Sequence, residues 1–339
     1  MSKSVVWGVL GAASIALNRV IPAIQSAAGC RVGAIASRDI DRARSAAFQH
    51  GIERAYGGYD ELLADPGVHA VYIPLPNPLH VRWSLKALEA GKHVLCEKPV
   101  AMTADEAECL IAARDRTGLM IEEAFSFPNH PQWNFIREAL ADGEIGELRA
   151  ATAVLAYTNL NPDDIRNDPT TGGGALYDIG SYLINACRIA FGAEPARAIG
   201  LFDMDPDFGI DRLSSAMLDF GPGHAVLTAS TQAGPASGGS HQHFSLLGTK
   251  GWLRAEFPFA HAIPTRCSVY LGDGTSRGSI PTREVRFGAV NQYVLQAERF
   301  SRLIRGKPAD AWPLEHALGN MRVIDALFRS GASGAWETP

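Results

Sequence analysis

A turn of small residues near the start of the chain has the composition of a phosphate-binding site. The segment Gly11–Ala16 (GAASIA) follows directly on the apolar run Val5–Leu10. A strand that leads through such a turn into a helix can hold a dinucleotide pyrophosphate, because backbone N–H groups and the positive end of the helix dipole face the phosphates. Ala13 stands where the usual motif has its middle glycine, and small residues here also serve packing, so this stretch alone leaves both interpretations open.

The residues after the second predicted strand favour one form of the cofactor. Ser37-Arg38-Asp39 follows that strand, and Arg42 lies one helical turn later. An NAD site places an acidic residue here for the ribose 2′-hydroxyl, whereas a neutral hydroxyl with guanidinium groups suits a 2′-phosphate. Arg38 can also stack on adenine, and Ser37 or Asp39 can cap the next helix, a role compatible with phosphate binding. The sequence therefore predicts NADP rather than NAD.

Alternating strands and helices position these residues in the first third of the chain. Short apolar runs rich in β-branched residues predict strands at Val5–Leu10, Arg31–Ser37, Ala70–Pro74 and His93–Cys96. Between them, helices are predicted at Asp39–His50 and His80–Ala90, each followed by a glycine suited to the left-handed C′ position. This alternation predicts an α/β fold with a doubly wound parallel sheet of the Rossmann type, over residues 1–122.

From about Ile121 onward the pattern changes to strands with more polar alternation. Strands are predicted at Glu147–Tyr157, Arg197–Leu201, Ser214–Asp219, His224–Ser230 and Phe244–Leu247, and helices at Gln292–Ile304 and Leu314–Phe328. Strands with few intervening helices indicate an open, largely antiparallel sheet. Residues 123–339 are thus predicted to form a C-terminal α+β domain that binds substrate.

Composition excludes several classes of protein. The chain has 339 residues and a net charge of −5 without a basic block, which argues against a nucleic-acid partner. No apolar run reaches the length of about 18 residues that a membrane span needs. The five cysteines are far apart and form no CxxC pair, which favours free thiols in a reducing cytoplasm. His241, His243 and His261 lack a carboxylate at ligand spacing, so no metal site is expected.

Three segments carry a family resemblance. Tyr72–His80 (YIPLPNPLH), Ala90–Pro99 (AGKHVLCEKP) and Gly172–Tyr182 (GGGALYDIGSY) resemble motifs of the Gfo/Idh/MocA family of NAD(P)-dependent oxidoreductases. The third is similar to the branch that contains glucose–fructose oxidoreductase, dimeric dihydrodiol dehydrogenase and NADP-dependent D-xylose dehydrogenase. Two departures stand out, since other members often have His at the position of Tyr182, and Phe127–Asn129 replaces a Tyr-Arg pair.

The resemblance extends the predicted cofactor site along the carboxyl edge of the sheet. It places Pro76, Asn77 and His80 near the nicotinamide ribose, although His80 could instead hydrogen-bond only to backbone. It also implies a cis Lys98-Pro99 bond, which proline permits. The residues predicted to bind the cofactor are Gly11, Ala12, Ala13, Ser14, Ile15, Ser37, Arg38, Arg42, Leu75, Pro76, Asn77, His80, Glu97 and Lys98.

The chemistry expected of such a protein is hydride transfer coupled to movement of one proton. Tyr182 is the predicted general acid/base and Lys98 its electrostatic partner, because a nearby ammonium favours tyrosinate; Lys98 could itself relay the proton. The resemblance brings this pair together with Asp178, which would orient Lys98 or a substrate hydroxyl. Asn159 and Arg166 are weaker candidates for substrate contacts. Gly172–Gly174 is either a flexible loop or a place where backbone approaches the substrate.

We therefore expect an NADP-dependent oxidoreductase acting on a cyclic polyol or aldose. A D-xylose-like aldose 1-dehydrogenase is the leading expectation, and a trans-dihydrodiol dehydrogenase is the next. The alternative is a non-catalytic NADP-binding regulator of the same fold. The resemblance also implies a homodimer or homotetramer that assembles through the sheet of the C-terminal domain.

Overall fold

The computed structural model describes residues 4–234, 239–259, 266–275 and 280–339. The chain forms two compact units, of which the first is residues 1–126 with 291–318 and the second is residues 127–290 with 319–339. The strands are β1 Val5–Leu10, β2 Cys30–Ala36, β3 Arg54–Tyr56, β4 Ala70–Ile73, β5 His93–Cys96, β6 Ile121–Glu123, β7 Leu148–Ala156, β8 Arg197–Met204, β9 Asp211–Asp219, β10 His224–Ser230, β11 His241–Gly248, β12 Trp252–Ala255, β13 Cys267–Gly272 and β14 Arg283–Phe287. The helices are α1 Ile21–Ser26, α2 Ile40–His50, α3 Tyr59–Leu63, α4 His80–Glu89, α5 Ala104–Thr117, α6 Pro131–Ala141, α7 Ser181–Phe191, α8 Gln292–Ile304 and α9 Leu314–Ser333, with π-helical turns at Ala16–Val20 and Leu176–Gly180.

The first unit is built on a parallel sheet, as predicted. Among the described residues it has six strands in the order β3-β2-β1-β4-β5-β6. Strand β1 lies between β2 and β4, and it is buried along its whole length, which explains its unbroken apolar sequence. Because every pairing is parallel, the carboxyl ends of β1, β2, β4 and β5 meet at one edge of the sheet, where ligands of such folds bind.

Residues 291–318 pack in this first unit, whereas the sequence analysis grouped them with the C-terminal domain. Phe300 of α8 is fully buried, and its ring lies 5.6 Å from that of Trp7 on β1. The indole N–H of Trp7 also donates to the Ser301 hydroxyl at 3.2 Å. The amphipathic pattern of α8 predicted that one face would be buried. The sheet that α8 covers is set by contacts between residues almost 300 positions apart. A local sequence pattern cannot predict such contacts.

The second unit contains the open sheet expected from the C-terminal strands. Among the described residues it has eight strands in the order β14-β13-β12-β11-β7-β10-β9-β8. Strands β7 and β10 pair in parallel, and the other pairings are antiparallel. One face of the sheet packs on α7. Apolar side chains such as Leu201 of β8 and Leu247 of β11 are exposed on the outer face.

Within the described ranges, none of the helices combines the length and the apolar composition that crossing a membrane would require.

Candidate dinucleotide site and catalytic helix

The predicted phosphate-binding turn lies at the carboxyl edge of the parallel sheet. Gly11 has φ +124°, a conformation that side chains other than hydrogen rarely allow. A β-carbon on Gly11 would lie 3.1 Å from the Leu75 side chain and 4.0 Å from the Tyr59 hydroxyl. The absence of a side chain therefore lets the turn, the loop after β4 and the start of α3 come close. The helical segment that follows begins at Ser14, and its first N–H groups are those a pyrophosphate needs.

Two predicted cofactor residues are held beside this turn. The Arg42 guanidinium donates a hydrogen bond to the Ala12 carbonyl at 2.8 Å, so the start of α2 is tied to the turn after β1. Ser37 is buried, and its hydroxyl accepts from the Asp39 N–H at 3.3 Å. The charge and donor set at this corner therefore fit a 2′-phosphate.

The helix cap at α2 is made by Asp39, one of the two residues the sequence left open. Its carboxylate accepts from the backbone N–H groups of Asp41 at 2.9 Å and Arg42 at 3.3 Å. Asp39 is thereby engaged at the helix N-terminus, where a negative charge is favourable. Arg38, next to it, is exposed.

The loop after β5 holds Lys98 in a defined backbone conformation. The Lys98-Pro99 bond is cis, which confirms the prediction. The Glu97 carboxylate accepts the hydroxyl hydrogen of fully buried Tyr72 at 2.6 Å and the Lys98 N–H at 3.3 Å. Glu97, predicted to contact the cofactor, thus also fixes the backbone that carries Lys98.

Asp178, in the second unit, lies in a network of three polar side chains. The Tyr157 hydroxyl donates to the Asp178 carboxylate, and Arg166 Nε lies 3.3 Å from the same oxygen. The Asp178 charge raises the pKa of Arg166, and burial together with Asp178 raises the pKa of the Tyr157 hydroxyl. Arg166 also contacts Asp164 at 3.2 Å. This network keeps a carboxylate and a guanidinium at fixed positions on a half-buried surface.

Tyr182 lies one helical turn after Asp178, at the start of α7. Its side chain is half-buried, and the ring of Phe127 lies 5.8 Å from its own. Phe127 is fully buried and also packs edge-on against Trp133 at 4.9 Å. The aromatic residue that replaces the expected Tyr-Arg pair therefore supports the Tyr182 ring.

Matches to family models cover both parts of the chain. Residues 5–125 match the model described as an oxidoreductase family with an NAD-binding Rossmann fold, and residues 133–254 match the GFO/IDH/MocA C-terminal domain. The chain belongs to the Gfo/Idh/MocA family. The oxidoreductase fold and the enzyme class predicted from the sequence are thereby confirmed.

Three relatives are similar to the chain over nearly its whole length. It is 48% identical over 333 residues, 98% of each chain, to an uncharacterized oxidoreductase of Rhizobium meliloti. It is 34% identical over 332 residues, 97% of this chain and 98% of the other, to an NADP-dependent D-xylose 1-dehydrogenase of Haloferax volcanii. A 3-ketoreductase from Actinomadura kijaniata, solved in complex with TDP-benzene and NADP, superposes with a TM-score of 0.86 at 30% identity over 97% of this chain and 98% of that one.

Within this Gfo/Idh/MocA fold, the imidazole ring of His80 lies between two backbone carbonyl groups. His80 is fully buried, and its two ring nitrogens lie 2.7 Å from the Pro99 and Leu75 carbonyl oxygens. Burial and the Lys98 charge lower its pKa, while the two carbonyl acceptors act in the opposite direction. His80 therefore ties the loop after β4 to the cis peptide, which is the backbone-bonding alternative. Pro76 and Asn77, in the same loop, are partly exposed.

In the segment Gly172–Gly174, where approach of a substrate stays a prediction, the chain's own atoms come close to Gly173 and Gly174. A β-carbon on Gly173 would lie 2.5 Å from the Arg166 carbonyl oxygen and 2.8 Å from that of Asp168. The Gly174 N–H donates to the Arg166 carbonyl at 3.0 Å. Gly173 is therefore needed where the chain's own backbone approaches, whereas Gly174 lies against the side chain of Asp211.

Two tyrosines beside the candidate site residues of this family member were not predicted from the sequence. Tyr59 is buried beside the Gly11 turn and packs edge-on against Trp83 at 4.8 Å. Burial raises the pKa of its hydroxyl, whereas a hydrogen bond from Arg38 and the charge of Arg42 oppose that rise. Tyr157, the partner of Asp178, is the other. Neither stands in a motif, and only the pairing of distant segments shows them.

The remaining predictions concern Asn159 and a metal site. The backbone of Asn159 anchors the loop that carries Arg166. Its N–H donates to the Thr231 carbonyl at 2.9 Å, and its carbonyl accepts from the Asn167 side-chain amide at 3.2 Å. In the described part of the chain, no three His, Cys, Asp or Glu side chains group as metal ligands. His261 lies outside the described residues.

Proposed function

We propose that this protein is an NADP-dependent oxidoreductase that transfers a hydride between nicotinamide and a hydroxyl- or carbonyl-bearing carbon of an aldose or cyclic polyol. The first unit would bind the cofactor and the second the substrate. The observation that carries the proposal is the network at Asp178, the residue one helical turn before Tyr182, whose carboxylate is held by the Tyr157 hydroxyl and the Arg166 guanidinium. A polyhydroxylated substrate needs such paired acceptors and donors to be oriented.

The cofactor assignment depends on the corner formed by Ser37, Arg38 and Arg42. Arg42 is anchored on the Ala12 carbonyl, and a neutral hydroxyl stands where NAD sites carry an acid. NADP occurs in the name of the D-xylose dehydrogenase relative and in the complexes of the 3-ketoreductase, which supports the same choice. When bound, NADP supplies the hydride chemistry.

Tyr182 would move the proton in this reaction. During alcohol oxidation the tyrosinate takes the hydroxyl proton as hydride leaves the same carbon, and in reduction the phenol returns it. The Lys98 ammonium would favour the tyrosinate by charge attraction. Alternatively, Lys98 itself takes the proton. Solved variants of the 3-ketoreductase relative replace one tyrosine by phenylalanine and one lysine by alanine or glutamate.

Aldose oxidation at C1 is the leading reaction because of the likeness to D-xylose 1-dehydrogenase along nearly the whole chain. Oxidation of a trans-dihydrodiol is the next candidate. Reduction of a keto group on a nucleotide-linked sugar is a further one, supported by the 3-ketoreductase at 30% identity.

A substrate panel tests the proposal. The pure protein is mixed with NADP and D-xylose, other aldoses, inositols or a trans-dihydrodiol, and NADPH formation is followed by absorbance; a second series offers NADPH with keto sugars. Turnover in one series, faster with NADP(H) than with NAD(H), is expected. Tight NADP binding without turnover in any series would instead favour the non-catalytic regulator.

We also propose that copies of the chain associate through the outer face of the eight-stranded sheet. Met217 and Val226 stand opposite each other in adjacent strands and are both exposed, as are Leu201 and Leu247 on the strands beyond. Light scattering should give a dimer or tetramer, and Val226→Glu should reduce the mass to that of one chain. An unchanged mass would contradict this surface. The five free thiols fit a reducing compartment, for which we propose the cytoplasm.

A further inference from the structure

A buried carboxylate lies at the start of the helix that carries the predicted catalytic residues. Asp211, the first residue of β9, is only 4% exposed. Its Oδ2 accepts from the Leu176 N–H at 2.7 Å and from the Ser214 hydroxyl. The Ala175 N–H donates to the same carboxylate. Leu176 opens the π-helical turn that continues into α7, so Asp211 satisfies the first backbone donors of this helix.

The same carboxylate fills the space above Gly174. Gly174 has φ +109°, and a β-carbon there would overlap Asp211 Oδ1. The backbone of Gly174 in turn bonds both sides of the candidate site, since its N–H donates to the Arg166 carbonyl at 3.0 Å and its carbonyl accepts from the Asp178 N–H at 3.1 Å. Displacement of Asp211 would therefore change the positions of both Arg166 and Asp178.

Charged side chains on the elements around Asp211 have other partners. Asp178, on the π-helical turn, bonds Tyr157 and Arg166. Arg212, the next residue of β9, pairs with Asp203 of β8 at 2.9 Å. Burial raises the pKa of Asp211 to about 6, while its hydrogen bonds act in the opposite direction. At neutral pH an ionised carboxylate is thus buried with backbone and hydroxyl donors as its partners, an arrangement that hydrophobic packing would not need.

We propose that Asp211 is a positioning residue for catalysis, which fixes the first turn of the catalytic helix and through it the places of Asp178, Arg166 and Tyr182. The inference depends on the function proposed above for Tyr182. Asp211 itself touches no reacting atom in this assignment. It acts through the Leu176 N–H and the backbone of Gly174.

A second buried aspartate provides a matched control. Asp205 is 6% exposed and accepts two backbone N–H groups, from Asp207 at 2.8 Å and Phe208 at 2.9 Å. It also accepts from the Gln232 side chain at 2.7 Å. Asp205 therefore resembles Asp211 in burial and bonding, but its donors belong to a turn rather than to the catalytic helix.

The test compares Asp211→Ala, Asp211→Asn and Asp205→Ala in the full chain. Turnover is measured with NADP and D-xylose, or the best substrate of the panel, and amide hydrogen exchange is measured over residues 174–182. We expect Asp211→Ala to lower kcat by about 10- to 100-fold, the range for hydrogen bonds to a charged group, and to speed exchange in that segment while NADP affinity stays within about twofold. Asp211→Asn, which keeps an acceptor of the same size, should retain at least about a third of kcat, and Asp205→Ala should change kcat by less than about twofold.

Equal kcat in Asp211→Ala and Asp205→Ala, unchanged exchange, or a loss that Asn does not rescue would overturn the inference. If Asp211→Ala does not fold, Ser214→Ala replaces it, because this change removes only the hydroxyl that holds the carboxylate. It should lower kcat by about 3- to 10-fold, and an unchanged kcat would equally overturn the inference. Tyr182→Phe separates the two claims, since full turnover in that variant removes the proposed function, whereas an inactive Tyr182→Phe beside an active Asp211→Ala removes only the role of Asp211.

Discussion

The Tyr157 hydroxyl donates a hydrogen bond to the carboxylate of Asp178, the residue one helical turn before Tyr182. Burial and the neighbouring charge raise the pKa of Tyr157, so its hydroxyl keeps its proton at neutral pH. Asp178 therefore acts as the acceptor in this pair, and Tyr157, the residue after β7, links the sheet to the turn Leu176–Gly180. This contact identifies a supporting tyrosine that no motif contains.

Removal of this hydroxyl should slow the reaction without affecting the cofactor. Tyr157→Phe is expected to lower kcat by about tenfold, because a hydrogen bond to a charged acceptor contributes about 1.5 kcal/mol or more. NADP affinity, measured by protein fluorescence, should stay unchanged. Tyr270→Phe is the control, since Tyr270 also donates to a carboxylate of the second unit, that of Glu256 at 3.0 Å. Similar kcat values in the two variants would contradict a role for Tyr157.

Replacement of the predicted acid/base should abolish most of the turnover. Tyr182→Phe is expected to reduce kcat by ~10²–10⁴-fold, the usual range for the loss of general acid–base catalysis, with NADP(H) binding retained. Tyr177→Phe is the comparison, because Tyr177 lies on the same helical segment and packs against Phe328 at 5.0 Å. Near-normal turnover in Tyr182→Phe would exclude Tyr182 as the proton carrier.

Loss of the exposed guanidinium at the end of β2 should separate the two cofactors. Arg38→Ala is expected to weaken NADP binding by about 10- to 100-fold, because a charge-assisted contact to the 2′-phosphate is lost, and to change NAD binding by about twofold or less. Arg44→Ala, which removes an exposed arginine paired with Asp41 on the same helix, should leave both affinities unaltered. A parallel loss of NADP and NAD affinity would disprove the 2′-phosphate contact.

Acid should destabilise the parallel sheet through His93. Its Nδ1 accepts the Met120 N–H at 3.0 Å, a bond that only the unprotonated nitrogen can accept. Burial, and next the charge of His69, lower the pKa of His93 below its ordinary value of 6.5. A lowered folded-state pKa means that the neutral ring's contribution is present above about pH 6.5 and is lost as the pH falls through the folded value.

Urea unfolding between pH 8 and pH 5 measures this effect. The unfolding free energy should decline on the acid side, by at most about 1.4 kcal/mol per pH unit for a single proton. His93→Asn places an acceptor oxygen where Nδ1 lies and does not titrate, so it should flatten the decline. His50→Asn, which changes a half-buried histidine at the end of α2, is the control and should leave the profile as it is. An unaltered slope in His93→Asn would show that another group is responsible.

Local sequence patterns determined a large part of this architecture. The apolar runs Val5–Leu10, His93–Cys96 and His224–Ser230 are strands with the same bounds, and Gln292–Ile304 is a helix with the same bounds. Gly51 and Gly91 have the positive φ that their positions after helices predicted. Hydrophobic periodicity and turn-forming residues act over a few positions. The sequence of each segment alone was therefore enough to predict its secondary structure.

Only the tertiary structure shows which distant segments of the chain contact each other. The two ring nitrogens of His80 lie 2.7 Å from the carbonyl oxygens of Pro99 and Leu75, contacts that the sequence left open, and its cofactor role stays a prediction. Gly173 and Gly174 serve the approach of the Arg166 backbone and of Asp211, 37 residues beyond Gly174 in the chain.

The sequence by itself determined the family, the parallel and antiparallel sheets, and the residue types for hydride chemistry with NADP. It named Lys98, Asp178 and Tyr182, whose catalytic roles are predictions that the variants above test. Only the tertiary structure revealed Tyr157, Tyr59 and Asp211. Tyr59 lies beside the Gly11 turn of the first unit, whereas Tyr157 and Asp211 lie beside Asp178 and Gly174 of the second. In each case a distant segment provides the contact, and no local spacing encodes it.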